Sequence, residues 1–469
     1  MIVSGLWILA AAALLAAFSL HHWTRSRREP PGSAADPPTR GVLARIAAAE
    51  PFVVLAIAPA LLFPSPARCA MALAVPLVWW CNRRVSGHLI PSTPLNVCLL
   101  LLLGMTGVSL LATFDVMVSL GKVAGLVLGV LVFWTMARWT RSETRFAVAA
   151  GAFLLAGGAL AVLGLLGTNW FGKFPILASI IERLPRAIRG VPGAEEGFHP
   201  NAVAGCLVLF IPLQAAMLTG AGRRWLLSML PGGNRGLLVG AQIVLLALTT
   251  GTLVLVQSRG AWTGLVAAGL AFLGWHSRRT RLLAAAILAS FAVAAFVLGP
   301  GRLADLTISH SGPEMARNVS GRVELWSRAL YAIQDFPFTG MGMNVFRKVM
   351  PRLYPTLEAT PDFDVAHAHN HLLQTALDLG ITGLVAYLAI WFTVSTLLVK
   401  VYRRGCGAGA RILAGGLGAG LLAHFVFSLA DAIPLGAKVG VLFWMTLALA
   451  VSLHEVTGPP APGPRIESR

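Results

Sequence analysis

Runs of about twenty apolar residues, apolar on every face and repeated along the whole chain, constrain this sequence more than any other feature. Inside a bilayer each backbone N–H and C=O needs an internal partner, so only helices or closed barrels can span it. Barrel strands would be about ten residues long and would alternate apolar with polar positions. These runs do neither, so helices are expected. Charge is correspondingly scarce: 12% of the 469 residues are charged and 56% are hydrophobic, where a soluble domain carries about 25% charged residues. The predicted class is therefore all-α, a polytopic membrane helical bundle with about 12–13 transmembrane helices and one large outer loop containing amphipathic helices.

The net charge of +18 does not point to nucleic acid. The arginines sit in short clusters between apolar runs, which is the pattern of cytoplasmic membrane loops. Cys69, Cys81, Cys98 and Cys206 lie in or near apolar segments and Cys406 lies in a basic loop. No pair has metal-ligand spacing, so neither a disulfide framework nor a zinc site is expected.

Every second short loop is basic. Arg83 and Arg84, then Arg138, Arg141 and Arg145, then Arg223, Arg224 and Arg235, then Arg278, Arg279 and Arg281, then Arg403, Arg404 and Arg411 mark one side. The loops between them carry Asp115, Arg259 and Asp431 and little else. One alternation fits: the basic loops and C-terminal tail are cytoplasmic and the N-terminus is outside. Two long polar segments, 169–201 and 301–371, then also fall outside. Ile2 to Leu20 has no positive residues ahead of it, so an uncleaved first helix is expected rather than a signal peptide. Short helices are predicted near Pro51–Phe63 and Arg68–Trp80, and longer ones near Ala202–Thr219 and Leu282–Leu298. The chain divides into residues 1–48, an apolar helix and basic Pro-rich linker; 49–455, the multi-pass domain; and 456–469, a Pro-rich cytoplasmic tail.

The residues with chemistry gather on the outer side. Arg259 sits between two apolar helices with almost no loop around it. An arginine at membrane depth costs about 2.5 kcal/mol or more unless paired or solvated. It is either an interfacial arginine reaching lipid headgroups or an anion clamp facing an outer cavity. The small neighbours Ser258 and Gly260 favour the clamp, because they let a phosphate approach. Ser320 is a plausible N-cap for an amphipathic surface helix in which Val323, Trp326, Leu330 and Ile333 recur at helical spacing. Arg322 lies in its first turn, a solvated residue when taken alone. His367, His369 and His371 precede a helix start at Leu372. The cluster is open to three readings: metal ligands, helix capping, or a histidine that exchanges a proton with a bound hydroxyl near a helix N-terminus. His367 and His369 are two residues apart with no carboxylate motif beside them, which argues against metal. Pro200-Asn201 opens another outer helix. Lys122 lies two turns after Asp115, and an ion pair between them is expected.

Taken in order, these residues resemble a known family. His199-Pro200-Asn201 stands before a helix, and Gln257-Ser258-Arg259-Gly260-Ala261-Trp262 stands between helices. Gly321-Arg322-Val323-Glu324-Leu325-Trp326 and Phe336-Pro337-Phe338-Thr339-Gly340-Met341-Gly342 follow. Last come His367-Ala368-His369-Asn370-His371-Leu372-Leu373-Gln374 and Leu379-Gly380-Ile381-Thr382-Gly383. The pattern, over roughly Leu95 to Leu453, is similar to the O-antigen ligase family of bacterial inner-membrane proteins. Family members have twelve helices with both termini in the cytoplasm, one helix fewer than predicted here. The resemblance implies a glycosyltransferase that moves a glycan from an undecaprenyl diphosphate carrier to an acceptor hydroxyl at the periplasmic face. The acceptor would be the lipid A core in a ligase or another lipid-linked repeat in a polymerase, and neither metal nor other cofactor is implied. Carried over, Arg259 and Arg322 bind the diphosphate and His369 is the general base, with His367 as the alternative and Asn370, Ser258 and Asn201 in support. The competing classes are a membrane transporter, for which no inverted repeat is visible, and an envelope scaffold, which would not need arginines and a histidine to converge.

Overall fold

The computed structural model describes residues 2–26, 37–170, 172, 174–228, 234–276, 278–283, 285–286, 313–355, 365–404 and 406–458. They form a helical bundle. Eight of the described helices are long and apolar enough to cross a membrane, or nine if the bent pair Gly41–Ala48 and Glu50–Leu62 is one span. Asn96–Ala112 adds a shorter apolar helix. The expected run Leu282–Leu298 falls almost wholly outside the described residues, as do large parts of 301–371.

The bundle is organised around the helix His371–Arg403, whose 33 residues carry much of the buried core. Ile2–Ser26, Asn96–Ala112 and Ala408–Ala430 pack against it. The first helix is seated on this core: Ala12 and Ala16 are buried and Trp23 lies against His454, with ring centroids 5.8 Å apart. Gly380 divides the long helix. Its φ of 71° is open to glycine at little steric cost, and a Cβ there would lie 2.4 Å from the Phe338 carbonyl oxygen. The 336–342 segment fills this break: Ile381 N–H donates to the Pro337 carbonyl (2.7 Å) and Met341 N–H to the Leu377 carbonyl (2.8 Å). The motif around Gly340 is thus a wedge that sets 371–379 apart as a short helix of its own.

Several expected elements differ. The second predicted short helix is broken into Pro66–Cys69, a 3-10 turn at Ala70–Leu73, and Ala74–Ser86. The run Ala202–Thr219 is two helices, Pro200–Leu207 and Ile211–Leu218. It breaks where Leu209 and Phe210 form tight i→i−3 bonds ahead of Pro212, which has no N–H to give. Ser320 is not a cap, because its helix already starts at Pro313. That helix buries Leu325, Ala329 and Ala332 and leaves Val323 exposed, so the packed stripe differs from the predicted one. Nor does Asp115 pair with Lys122. Its carboxylate caps the helix Val116–Trp139 by accepting from Met117 N–H (2.8 Å) and Val118 N–H, and Lys122, half-buried, is attracted instead by the carboxylate of Asp378.

The two ends of the bundle differ in chemistry. At the basic end, Glu50 is 2% exposed and binds three helices together. It accepts from Trp79 Nε1 (3.0 Å) and Asn82 Nδ2 (3.0 Å). Arg138 Nε lies 3.0 Å from the same carboxylate, an ion pair without hydrogen-bond alignment. Removing the acid alone takes the charge partner from a half-buried guanidinium that keeps the Leu89 carbonyl at 2.6 Å, a change that costs less than the roughly 3–5 kcal/mol of a fully buried broken pair. Glu50→Ala is expected to lower the thermal midpoint of the detergent-solubilised protein by several degrees, and an unchanged midpoint would show the pair to be dispensable.

Candidate active site

At the opposite end, five separate stretches meet. The helix Arg259–His276 runs antiparallel along Ala408–Ala430. Gly264 makes this contact close, since a Cβ there would lie 2.3 Å from the Ala423 carbonyl oxygen. The packing brings the N-terminus of the first helix, with Arg259, beside the C-terminus of the second, with Ala430. Ser258 is buried just ahead of it. Gln257, in a left-handed conformation (φ 52°), accepts the Phe174 N–H at 2.8 Å and so ties this corner to the 169–201 segment. From the Pro313–Asp335 helix, Arg322 donates to the Ala430 carbonyl at 2.7 Å. Gly260, next to Arg259, lies against Ala430, whose carbonyl Arg322 binds, so the two arginines reach the same corner; burial and the Arg322 guanidinium both lower the pKa of Arg259.

The histidine motif arrives on the 371–379 helix. Asn370 begins it, its Oδ1 accepting from Leu372 N–H (3.0 Å) and Leu373 N–H (3.1 Å). Its Nδ2 donates to the Leu429 carbonyl at 3.1 Å, next to the Arg322 anchor. His369 Nδ1 lies 3.0 Å from Asp431 Oδ1. Asn201 Nδ2 donates to the other oxygen of Asp431 at 2.5 Å, and Ala432 N–H donates to Oδ1 at 2.8 Å. His367 Nε2 is 4.0 Å from the same carboxylate. His371 faces the other way, buried inside the bundle and stacked on Tyr387 at 4.9 Å.

Asp431 therefore organises the site. Burial disfavours its charge, but the hydrogen bond and charge of His369, followed by His367 and Arg322, outweigh this and hold the carboxyl below the usual range. His367 goes the other way. Burial, with smaller contributions from His369, Lys122 and His199, outweighs Asp431 and pushes it down to about 3. A base that weak suits proton abstraction near neutral pH poorly. Its Nδ1 also accepts the His369 backbone N–H at 3.3 Å. His369 keeps an accessible ring, 28% exposed. With Nδ1 engaged by Asp431, its Nε2 is left to meet a substrate.

His367, His369 and Asp431 also offer ligand-type atoms within 4.8 Å of one another. A tetrahedral metal would hold nitrogen and oxygen at about 2.0–2.2 Å in place of the 3.0 Å His369–Asp431 hydrogen bond, with Asn201 on the carboxylate oxygen left over. The donor set accommodates a cation as well as a hydrogen-bonded dyad.

Every residue expected at this site from the sequence lies at this end of the bundle, including Arg259, Arg322 and His369, whose separation would have removed the catalytic reading. Asp431 had been legible only as one of three charges in the outer loops. An isolated acid between two apolar helices is as costly as an isolated arginine, and that signal marks it as functional.

Residues 244–388 match the sequence model of a family described as O-antigen ligase. The matched stretch contains Ser258, Arg259, Arg322 and all three histidines, while Asn201 and Asp431 lie outside it. No curated protein matches the chain.

Proposed function

We propose, from the premise of an O-antigen ligase domain at residues 244–388, that this multi-pass membrane protein transfers a glycan from undecaprenyl diphosphate to an acceptor hydroxyl. The coarse assignment, a membrane glycosyltransferase of the ligase or polymerase type, rests on that domain. The finer reading rests on one observation: His369 is hydrogen-bonded to a buried carboxylate beside two converging arginines. His369 Nε2 takes the proton of the acceptor hydroxyl as its oxygen bonds to the anomeric carbon. The bond from that carbon to the diphosphate oxygen breaks, and the diphosphate leaves with the electron pair. Arg259 and Arg322 stabilise the growing negative charge, an effect strongest where water is scarce. Asp431 holds His369 in the tautomer that leaves Nε2 free and stabilises the imidazolium that forms. Asn201 holds the carboxylate and Asn370 the Leu429 backbone in place, and the small Ser258 lets the phosphate approach.

Basic loops at the opposite end agree with a site on the outer, periplasmic face of a bacterial inner membrane. The acceptor is either a lipid A core or another glycan. The test is complementation of the parent bacterium after deletion of its own copy. Wild type is expected to restore surface polysaccharide, and His369→Ala at equal membrane levels is expected to accumulate lipid-linked glycan instead. Full restoration by His369→Ala would remove the base from the mechanism.

A further inference from the structure

His369 occupies a backbone conformation that an L residue seldom adopts, with φ at 48°. Such a conformation costs on the order of 1–3 kcal/mol and persists only where its surroundings enforce it. The enforcing contacts converge on Ala368, the fully buried residue between the two histidines. Its N–H donates to Gln374 Oε1 at 2.9 Å. Its carbonyl accepts from Trp326 Nε1 at 2.9 Å. Gln374 is itself oriented, because its Nε2 donates to Asp378 Oδ1 at 2.8 Å; this directs the amide oxygen to Ala368. Asp378 lies next to the Gly380 break, where Ser109 Oγ donates to its carbonyl at 2.7 Å. Trp326 is one helical turn beyond Arg322, so one helix carries an arginine of the site and a clamp on the histidine loop.

We propose that Gln374 and Trp326 are positioning residues for His369: by pinning the Ala368 peptide they hold the imidazole against Asp431 and aim Nε2 at the acceptor. This deepens, and rests on, the reading of His369 as the general base. Neither side chain touches substrate. Their loss slows the chemical step while leaving donor binding, the task of Arg259 and Arg322, in place. Misplacement of a reacting group by about 1 Å costs on the order of 10²-fold in rate, which sets the scale of the effect.

The experiment uses membrane vesicles from the deletion strain, in which the native lipid-linked donor accumulates, reconstituted with the full-length protein. Trp326→Phe keeps an aromatic ring and removes the N–H. Gln374→Leu removes the acceptor. A paired exchange, Gln374→Glu with Asp378→Asn, restores both hydrogen bonds at constant net charge. The introduced carboxylate accepts from the Ala368 N–H, and the introduced amide donates back to that carboxylate. The two single variants are expected to insert at wild-type levels and to lose about tenfold to 10²-fold in rate at saturating donor, with the half-saturating donor concentration unchanged. The paired exchange is expected to recover most of that rate, a rescue that general destabilisation would not produce. Wild-type rates in both single variants, or a loss expressed only in donor affinity, would overturn the proposal. His369→Ala is measured in parallel. If it is inactive while the single variants run at full rate, only the positioning role falls. If it transfers normally, or if wild type transfers nothing, the functional reading falls first.

Discussion

Asp431→Asn is expected to reduce glycan transfer by about 10³–10⁴ while leaving the protein folded; in the serine-protease triad the corresponding change costs about 10⁴ by imposing the wrong histidine tautomer. The carboxylate accepts three hydrogen bonds here, from His369, Asn201 and Ala432. An asparagine keeps the shape but offers a single acceptor oxygen and an amine that donates. The Asn201 Nδ2 and the introduced amine would then oppose each other, or the amine would turn to His369 and force its proton onto Nε2, the atom that must be free to accept. Either arrangement removes the negative charge that stabilises the imidazolium. The substitution loses the stabilisation that the carboxylate's charge supplies, while the amide oxygen still accepts from Ala432 N–H, so the variant is expected to fold with a lowered thermal midpoint. That contribution has a defined sign. A carboxyl held below its ordinary value stabilises the fold at pH above the unfolded value of about 3.9 and loses that effect as pH falls through its folded value. At neutral pH the wild-type group is therefore ionised. The measurement is the transfer rate at equal membrane level, with thermal unfolding as the control. An asparagine variant retaining more than about a tenth of the rate would reduce Asp431 to a structural anchor.

The bundle and the end at which the candidate residues gather were both legible in the sequence, for different reasons. Apolar runs and alternating arginine loops report the membrane itself, which imposes helix length and charge asymmetry whatever the tertiary contacts are. The bend between Gly41–Ala48 and Glu50–Leu62 and the split near Leu209 went unpredicted although each has a local mark, Pro51 and Pro212, which have no N–H to give to the turn before them. At the site, Arg259 announced itself as a polar group in a place where polar groups are expensive, whereas Arg322, a solvated residue when taken alone, and His369, one member of a cluster open to three readings, were singled out by the family resemblance. Their arrangement did not follow from that. Nothing local says that Asn201 and Asp431, 230 positions apart, share a hydrogen bond. Nor could spacing separate His367 from His369. The distinction comes from the approach to Asp431, 3.0 Å for His369 against 4.0 Å for His367, and from the His367 Nδ1 contact to the His369 backbone. The Lys122 pairing failed for a similar reason. Asp115 stands at a helix start, where free N–H groups compete for a carboxylate more effectively than an ammonium two turns away.

Two guanidiniums placed close together predict the second large effect, because an anion between them relieves their mutual repulsion. Arg259 is disfavoured in its charged form first by burial and then by Arg322, and a diphosphate would offset both. Inorganic pyrophosphate, or undecaprenyl diphosphate in detergent, is therefore expected to raise the thermal midpoint of the wild-type protein in a concentration-dependent manner. Linkage gives about 2.7 kcal/mol of stabilisation at a hundredfold excess over Kd. Arg259→Ala should lose most of that shift and about 10²–10³ of the transfer rate, the range seen when one preorganised donor to a developing charge is removed. Arg259→Lys should recover little of either, because an ammonium restores the charge but not the planar fork that grips phosphate at two points. Arg322 should behave differently. Its guanidinium also donates to the Ala430 carbonyl, next to Asp431, so Arg322→Ala should disturb the histidine dyad as well as the anion. The Arg322 variant should thus be slow even at saturating donor, whereas part of the Arg259 defect should yield to added donor. If pyrophosphate stabilises wild type and Arg259→Ala equally, the anion binds elsewhere and Arg259 is an interfacial arginine after all.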